Sequence, residues 1–146
     1  MKGPAARDRP TVLPCLLVES IQDELEFLRV VFGAQVVEQR GEQERTLWRM
    51  EVRLGDSVML LGRTKEESTP SSSTLYVWSD DLDGAYARAM EAGATLISSP
   101  AEQPSGVREA GFKDPQGTIW WLGQRTGRLS NREVEQKLME QRRSRL

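Results

Sequence analysis

Histidine is absent from all 146 residues. Without an imidazole the chain cannot build a Ser-His-Asp or Cys-His triad, nor the His-containing sites common for zinc, nickel and non-haem iron. Cysteine is nearly as scarce. Cys15 stands alone, which excludes an intrachain disulfide and leads us to expect a cytoplasmic protein. No run approaches the roughly 20 apolar residues of a membrane-spanning helix. Met1–Pro10 is polar and proline-bearing, so we expect a disordered leader over 1–10 rather than a secretion signal. A glycine-rich phosphate loop, a GxSxG elbow, a CxxC pair and a calcium loop are all missing as well.

What remains suits one small domain. Hydrophobic residues make up 38% and charged residues 29% of the chain, enough for a single core. The 20 Lys and Arg nearly balance the 22 Asp and Glu, and a net charge of −2 offers no global attraction to nucleic acid. The balance is uneven along the chain. Residues 125–146 hold seven basic and three acidic groups, a net of +4, whereas the first 124 hold 13 basic and 19 acidic groups, a net of −6.

Element signals follow a repeating order. TVLPCLLV at 11–18 reads as a strand with Pro14 near its start, where a missing N–H is tolerable. Ser20 reads as the cap of a helix whose Ile21, Leu25, Leu28 and Phe32 form one buried stripe, ended by Gly33. Strands are expected at 34–39, 46–54 and 57–61, with turns at 41–45 and 55–56 and a linker at 62–73. The second half repeats this order. A strand at 75–78 leads to a helix capped by Ser79 or Asp80, with Leu82, Ala85, Tyr86 and Ala89 on one face and Gly93 at its end. Strands at 94–98, 107–113 and 118–123 follow, the last two joined by the turn Asp114-Pro115-Gln116-Gly117. Gly33-Ala34 overlays on Gly93-Ala94 at a spacing of 60, so the chain carries two β-α-β-β-β modules. A tail helix begins with a capping box at Ser130 and Glu133. Leu129, Val134 and Leu138 give it a thin stripe, and Arg142, Arg143 and Arg145 complement its C-terminal dipole.

This arrangement resembles the vicinal-oxygen-chelate superfamily, the glyoxalase and bleomycin-resistance-like proteins. The residues that carry the resemblance are LPCLLVES at 13–20, EFLRVVFGA at 26–34, GDSVMLL at 55–61, DDLDGAYARAMEAGA at 80–94 and FKDPQGTIWWL at 112–122. It implies an α+β fold of tandem βαβββ modules, 11–62 and 74–124, forming a curved mixed sheet around a cavity in a domain over 11–124. A C-terminal basic helix at 125–146 lies outside it. It also implies a homodimer. Metal-dependent members place four His or Glu ligands on four strands. Those positions fall here at or near Leu13, at or near Met59, at Thr74 (or Ser73), and at Trp121. None is a competent ligand for zinc, nickel or iron, so no metal or other cofactor is expected, and glyoxalase or dioxygenase chemistry by the family route is disfavoured.

Strand alternation then proposes what the cavity holds instead. Trp121 brings Ile119 with it and turns Trp120 and Leu122 toward the helix. Met59 brings Ser57 and Leu61, Leu13 brings Cys15 and Leu17, and Thr74 brings Tyr76 and Trp78. The expected ligand-binding residues are Trp78, Trp121, Tyr76, Met59 and Thr74, with Arg49 and Glu51 to fix a polar end. No catalytic residue is assigned. Aromatic faces beside a thioether suit a planar or cationic organic molecule. Bland readings stand beside these. Trp78 and Trp121 are equally readable as core, Trp48 is in phase with Met50, Val52 and Leu54 and reads as core, and Arg49 and Glu51 are also readable as a solvated charge row. Arg108 is either a ligand clamp or an exposed strand residue, and Cys15 reads as a buried small side chain. The expected function is metal-independent sequestration of a small aromatic or cationic metabolite or antibiotic. A metal-free isomerase or cyclase using the same cavity, with Glu51 or Tyr76 as its acid–base group, is the first alternative, and a regulatory or scaffold domain is the second. The only partners expected are the ligand and a second copy of the chain, with no nucleic acid and no membrane.

Overall fold

The computed structural model describes residues 10–41, 48–64, 73–126 and 131–144. Most of the leader, the turn at 42–45, the linker at 65–72, and Leu129, Ser130 and Arg145 of the tail lie outside the described residues, as does the side chain of Val134. The chain forms two compact units, residues 1–73 with 115–118 and residues 74–114 with 119–146.

The first unit contains β1 (Cys15–Val18), α1 (Ile21–Phe32), β2 (Gln35–Arg40), β3 (Arg49–Leu54) and β4 (Ser57–Arg63). Its sheet runs in the order β1-β4-β3-β2, parallel between β1 and β4 and antiparallel elsewhere. The second unit contains β5 (Thr74–Trp78), α2 (Leu82–Glu91), β6 (Thr95–Glu102), β7 (Val107–Lys113) and β8 (Ile119–Arg125), in the matching order β5-β8-β7-β6. A last helix, α3 (Asn131–Ser144), follows. The fold is therefore α+β, built from two mixed four-stranded sheets in tandem βαβββ modules and a C-terminal helix. No helix among the described residues is long and apolar enough to cross a membrane.

Local chemistry explains the helices. Ser20 caps α1 by accepting a hydrogen bond from the Asp23 N–H at 3.2 Å, with Asp23 and Glu24 favourable in the first turn. Gly33 closes it in the left-handed region at φ 69°, where its own N–H and that of Ala34 satisfy the last carbonyls. α2 is capped by Asp81 rather than by Ser79 or Asp80. The Ser79 hydroxyl is already engaged by the Asp81 N–H at 3.1 Å, leaving the Asp81 carboxylate to accept from Gly84. Gln124 of β8 ties the start of α2 to its sheet, accepting from the Leu82 N–H and donating to the Asp80 carbonyl.

The modules match in fine detail as well. β2 has a register shift between Val36 and Glu38, and β6 has one between Leu96 and Ser98, again 60 residues on. Each is a one-residue bulge on the outermost strand of its sheet.

Each helix covers one face of its own sheet. In the first unit, α1 packs on β3 and β4. Leu16, Val18, Met50, Val52 and Leu61 of that sheet are buried, as are Leu25, Leu28 and Val31 of the helix. In the second, α2 packs on β6, β7 and β8 over Ala110, Phe112, Trp120 and Leu122. Two expectations change here. Trp48 immediately precedes β3 and is 58% exposed, although its backbone still bonds to Arg40 and Arg63 on either side. β1 likewise starts at Cys15, with Pro14 outside it lending only its carbonyl to the Leu60 N–H.

Trp120 is 1% exposed, and its indole N–H donates to Asp114 Oδ2 at 2.9 Å. Replacing Trp120 by Phe removes a donor to a buried carboxylate and leaves a smaller ring in the core. Urea denaturation of Trp120→Phe is expected to show a loss of about 2–4 kcal/mol.

Candidate functional site

Opposite α2, the second sheet presents a face that its helix does not cover. Alternation along β5 gives this face Thr74, Tyr76 and Trp78, all exposed, while Leu75 and Val77 turn the other way. The parallel register with β8 sets Thr74 beside Ile119, Tyr76 beside Trp121 and Trp78 beside Gly123. The antiparallel register with β7 continues the rows to Lys113, Gly111 and Glu109. One row thus reads Gly111, Trp121, Tyr76 and the next Glu109, Gly123, Trp78.

The glycines in those rows are what the rings lie on. A Cβ at Gly111 would come within 2.8 Å of Trp121 Cζ3, and one at Gly123 would fall 2.6 Å from Tyr76 Cζ. Each aromatic side chain leans across the bare backbone of a neighbouring position, a close approach only glycine permits. Tyr76 and Trp78 meet edge to face with centroids 5.3 Å apart, an arrangement their quadrupoles favour. The Arg125 guanidinium carbon lies 5.0 Å from the Trp78 ring centroid. Tyr76 remains 46% and Trp78 56% exposed, so the platform is open to solvent.

By leaning over Gly123, Tyr76 reaches Glu109, and its hydroxyl donates to Glu109 Oε2 at 2.8 Å. Burial, the hydrogen bond and the nearby negative charge, in that order, push the phenol up to about 12. At neutral pH Tyr76 is therefore a fixed donor and an aromatic surface, and not a base. Glu109 was absent from the sequence-based site. Its membership depends on how far Tyr76 leans, and no spacing in the sequence encodes that.

The other site expectations fare differently. Thr74, Tyr76, Trp78 and Trp121 share one face, as alternation predicts. Met59 does not join an open face. It pairs with Val52 and is 6% exposed, on the side of Met50 and Leu61 that α1 covers. The first sheet's other face carries Cys15, Leu17, Leu60 and Gly62. Two residues before Gly62, Leu60 stands where Trp121 stands before Gly123, so the expected position is one residue too early. Cys15 is exposed there and not buried. Arg49 and Glu51 lie on this same face of the first sheet, where Arg49 Nη2 is 3.6 Å from Glu51 Oε1. Glu51 is 4% exposed, so the pair is no solvated charge row. Arg108 turns toward α2 and makes a two-pronged ion pair with Asp83 at 2.8 and 3.0 Å, which holds the Asp83 carboxyl below its ordinary range.

A metal is the group this architecture implies, through the positions of the resemblance. The donors there do not fit one. Leu13, Leu60 (in place of Met59), Thr74 (or Ser73) and Trp121 offer no imidazole, thiolate or carboxylate. Among the described residues no group of three or more Cys, Asp or Glu side chains could hold an ion.

The sequence profile of the Glyoxalase/Bleomycin resistance protein/Dioxygenase superfamily matches residues 11–122. The chain belongs to this superfamily. Its structure is similar to that of TioX from Micromonospora sp. ML1, with a TM-score of 0.69 and 20% identity over 80% of this chain and 98% of that one. It is also similar to the fosfomycin resistance protein FosX from Mesorhizobium loti, with a TM-score of 0.61 and 19% identity over 84% and 96%. These two likenesses concern the fold alone. An uncharacterised protein of Mycobacterium tuberculosis is 26% identical over 143 residues, covering 90% of this chain and 84% of its own. The superfamily includes both binding proteins and enzymes, and the tandem sheets of this member are its common architecture.

The Tyr76 phenol should ionise near pH 12 in a spectrophotometric titration of the folded protein, against about 10 in the unfolded chain. Because the folded value is the higher one, this group's contribution to stability is complete below pH 10 and lost as the pH rises toward 12. Glu109→Gln should bring the folded midpoint down while leaving it above 10, since burial remains.

Proposed function

We propose that this superfamily member binds and sequesters a small aromatic or cationic molecule, a metabolite or an antibiotic, without a metal and without changing it. The observation that carries the reading is the glycine-floored platform of Tyr76, Trp78 and Trp121, on which the Tyr76 and Trp78 residues are about half exposed and Trp121 is partly so. Large aromatic surfaces held open to water lose little conformational freedom on binding and gain both stacking and apolar burial. The Arg125 guanidinium resting on Trp78 is the protein's own example of a cation on this face. Thr74, at the end of the same face, supplies a hydroxyl for a polar edge. Arg49 and Glu51 belong to the first sheet and have no part in the platform, and a homodimer remains the assembly the resemblance implies. Met59 has no part in this reading. An antibiotic ligand is in keeping with the superfamily's resistance proteins, among them the fosfomycin resistance protein of the same fold.

The metal-free enzyme is the weaker alternative, because it needs a base poised near neutral pH, and Tyr76 is displaced away from that range.

Titration of intrinsic tryptophan fluorescence against a panel of aromatic and cationic antibiotics should give saturable quenching by at least one compound. Trp121→Ala should weaken that binding by about tenfold or more, the loss of roughly 1.4 kcal/mol or more expected when one stacking ring is removed. Mass spectrometry should recover the compound unaltered. Recovery of a modified compound would transfer the site to the enzyme reading, and no quenching anywhere in the panel would overturn the binding reading.

A further inference from the structure

The carboxylate beside the platform has a consequence for which molecules the platform accepts. Glu109 stands in the row Glu109, Gly123, Trp78, with the Tyr76 ring spanning the glycine between them. Its Oε2 accepts the Tyr76 hydroxyl at 2.8 Å, which fixes the side chain against the edge of the aromatic surface. Among the described residues it makes no ion pair. Arg108, next to it in sequence, points to the opposite face and is engaged by Asp83, while Arg125 rests on Trp78. The neighbouring cations are thus committed elsewhere, and a half-buried negative charge is held beside exposed π-faces.

Resting on the binding reading above, we propose that Glu109 is the specificity determinant of the platform. It selects planar aromatic molecules that carry a protonated amine or a charged ring N–H over neutral or anionic ones of the same shape. A carboxylate has about four lone-pair sites, and the Tyr76 hydroxyl uses one. A ring stacked on Tyr76 or Trp121 brings its edge toward the remaining oxygen, where a cationic N–H makes a charge-assisted hydrogen bond. The same cation is attracted to the negative faces of the rings. A carboxylated ring in that place would face Glu109 at close range, and a neutral one would gain stacking alone. Arg125 acts in the opposite direction, since it occupies the Trp78 face and adds a like charge.

Isothermal titration calorimetry at pH 7 tests this with three planar probes of one shape: cationic 9-aminoacridine, neutral acridine and anionic acridine-9-carboxylate. The expected order of affinity is 9-aminoacridine, then acridine, then the carboxylate. Glu109→Gln keeps the size and hydrogen-bonding capacity of the side chain and removes its charge. It should weaken 9-aminoacridine by about tenfold and leave acridine unchanged. Arg125→Gln should tighten 9-aminoacridine. If the wild-type protein binds acridine and 9-aminoacridine alike and Glu109→Gln alters neither, the charge selection is wrong while the aromatic platform stands. If none of the three binds, the platform reading falls, and this inference falls with it.

Discussion

A strand has two sides, and in each module of this chain a single helix covers just one of them. Everything else about the candidate site depends on that constraint. The positions buried beneath the helices are apolar, so Met50, Val52, Leu61, Ala110, Phe112, Trp120 and Leu122 are committed to the core. Their neighbours in sequence are turned outward whatever their chemistry. Trp120 and Trp121 illustrate how sharp the division is. The first is enclosed and hydrogen-bonded to Asp114, and the second lies across the backbone of Gly111 on the uncovered face. Two adjacent indoles are thereby given unrelated tasks.

The uncovered face of the second sheet then acquires its character from what its small positions allow. Without side chains at Gly111 and Gly123, the long rings lie down along the sheet, and one of them reaches a carboxylate two strands away, across β8. The aromatic surface and the negative charge are therefore one construction. A side chain at Gly111 would lift Trp121, and one at Gly123 would lift Tyr76 and separate its phenol from Glu109.

Much of this was legible in the sequence. The Ser20 cap and the Gly33 stop follow from rules that act within a turn, the 60-residue repeat from overlaying the two halves, and the helix-ward Trp120 from the resemblance together with strand alternation. Carrying positions across the modules was less secure. A strand shifted by one residue exchanges its faces, which is why Met59 was expected where Leu60 stands. Trp48 shows a related limit: it is in phase with the core and its backbone continues the ladder, yet its side chain is exposed, because phase fixes a face and not what covers it. Asp81 took the cap because a neighbouring hydroxyl was already engaged, a competition that composition does not reveal. Glu109 was invisible for a different reason, since its partnership runs sideways through the sheet and depends on the tilt of a ring.

The paired bulges at Val37 and Ile97 bear on a hazard that any open sheet carries. β2 and β6 each form one of the two edges of their sheets, and the unpaired N–H and C=O groups of such an edge are a template on which another chain could add a strand. An extra residue in each strand interrupts the even ladder such an addition requires, and β6 has a second irregularity around Pro100, which has no N–H to offer. A chain that holds bare aromatic rings in water on one sheet also breaks the even ladder along one edge of each sheet. Adhesion through side chains and adhesion through backbone are thus governed at different places in the same sheet.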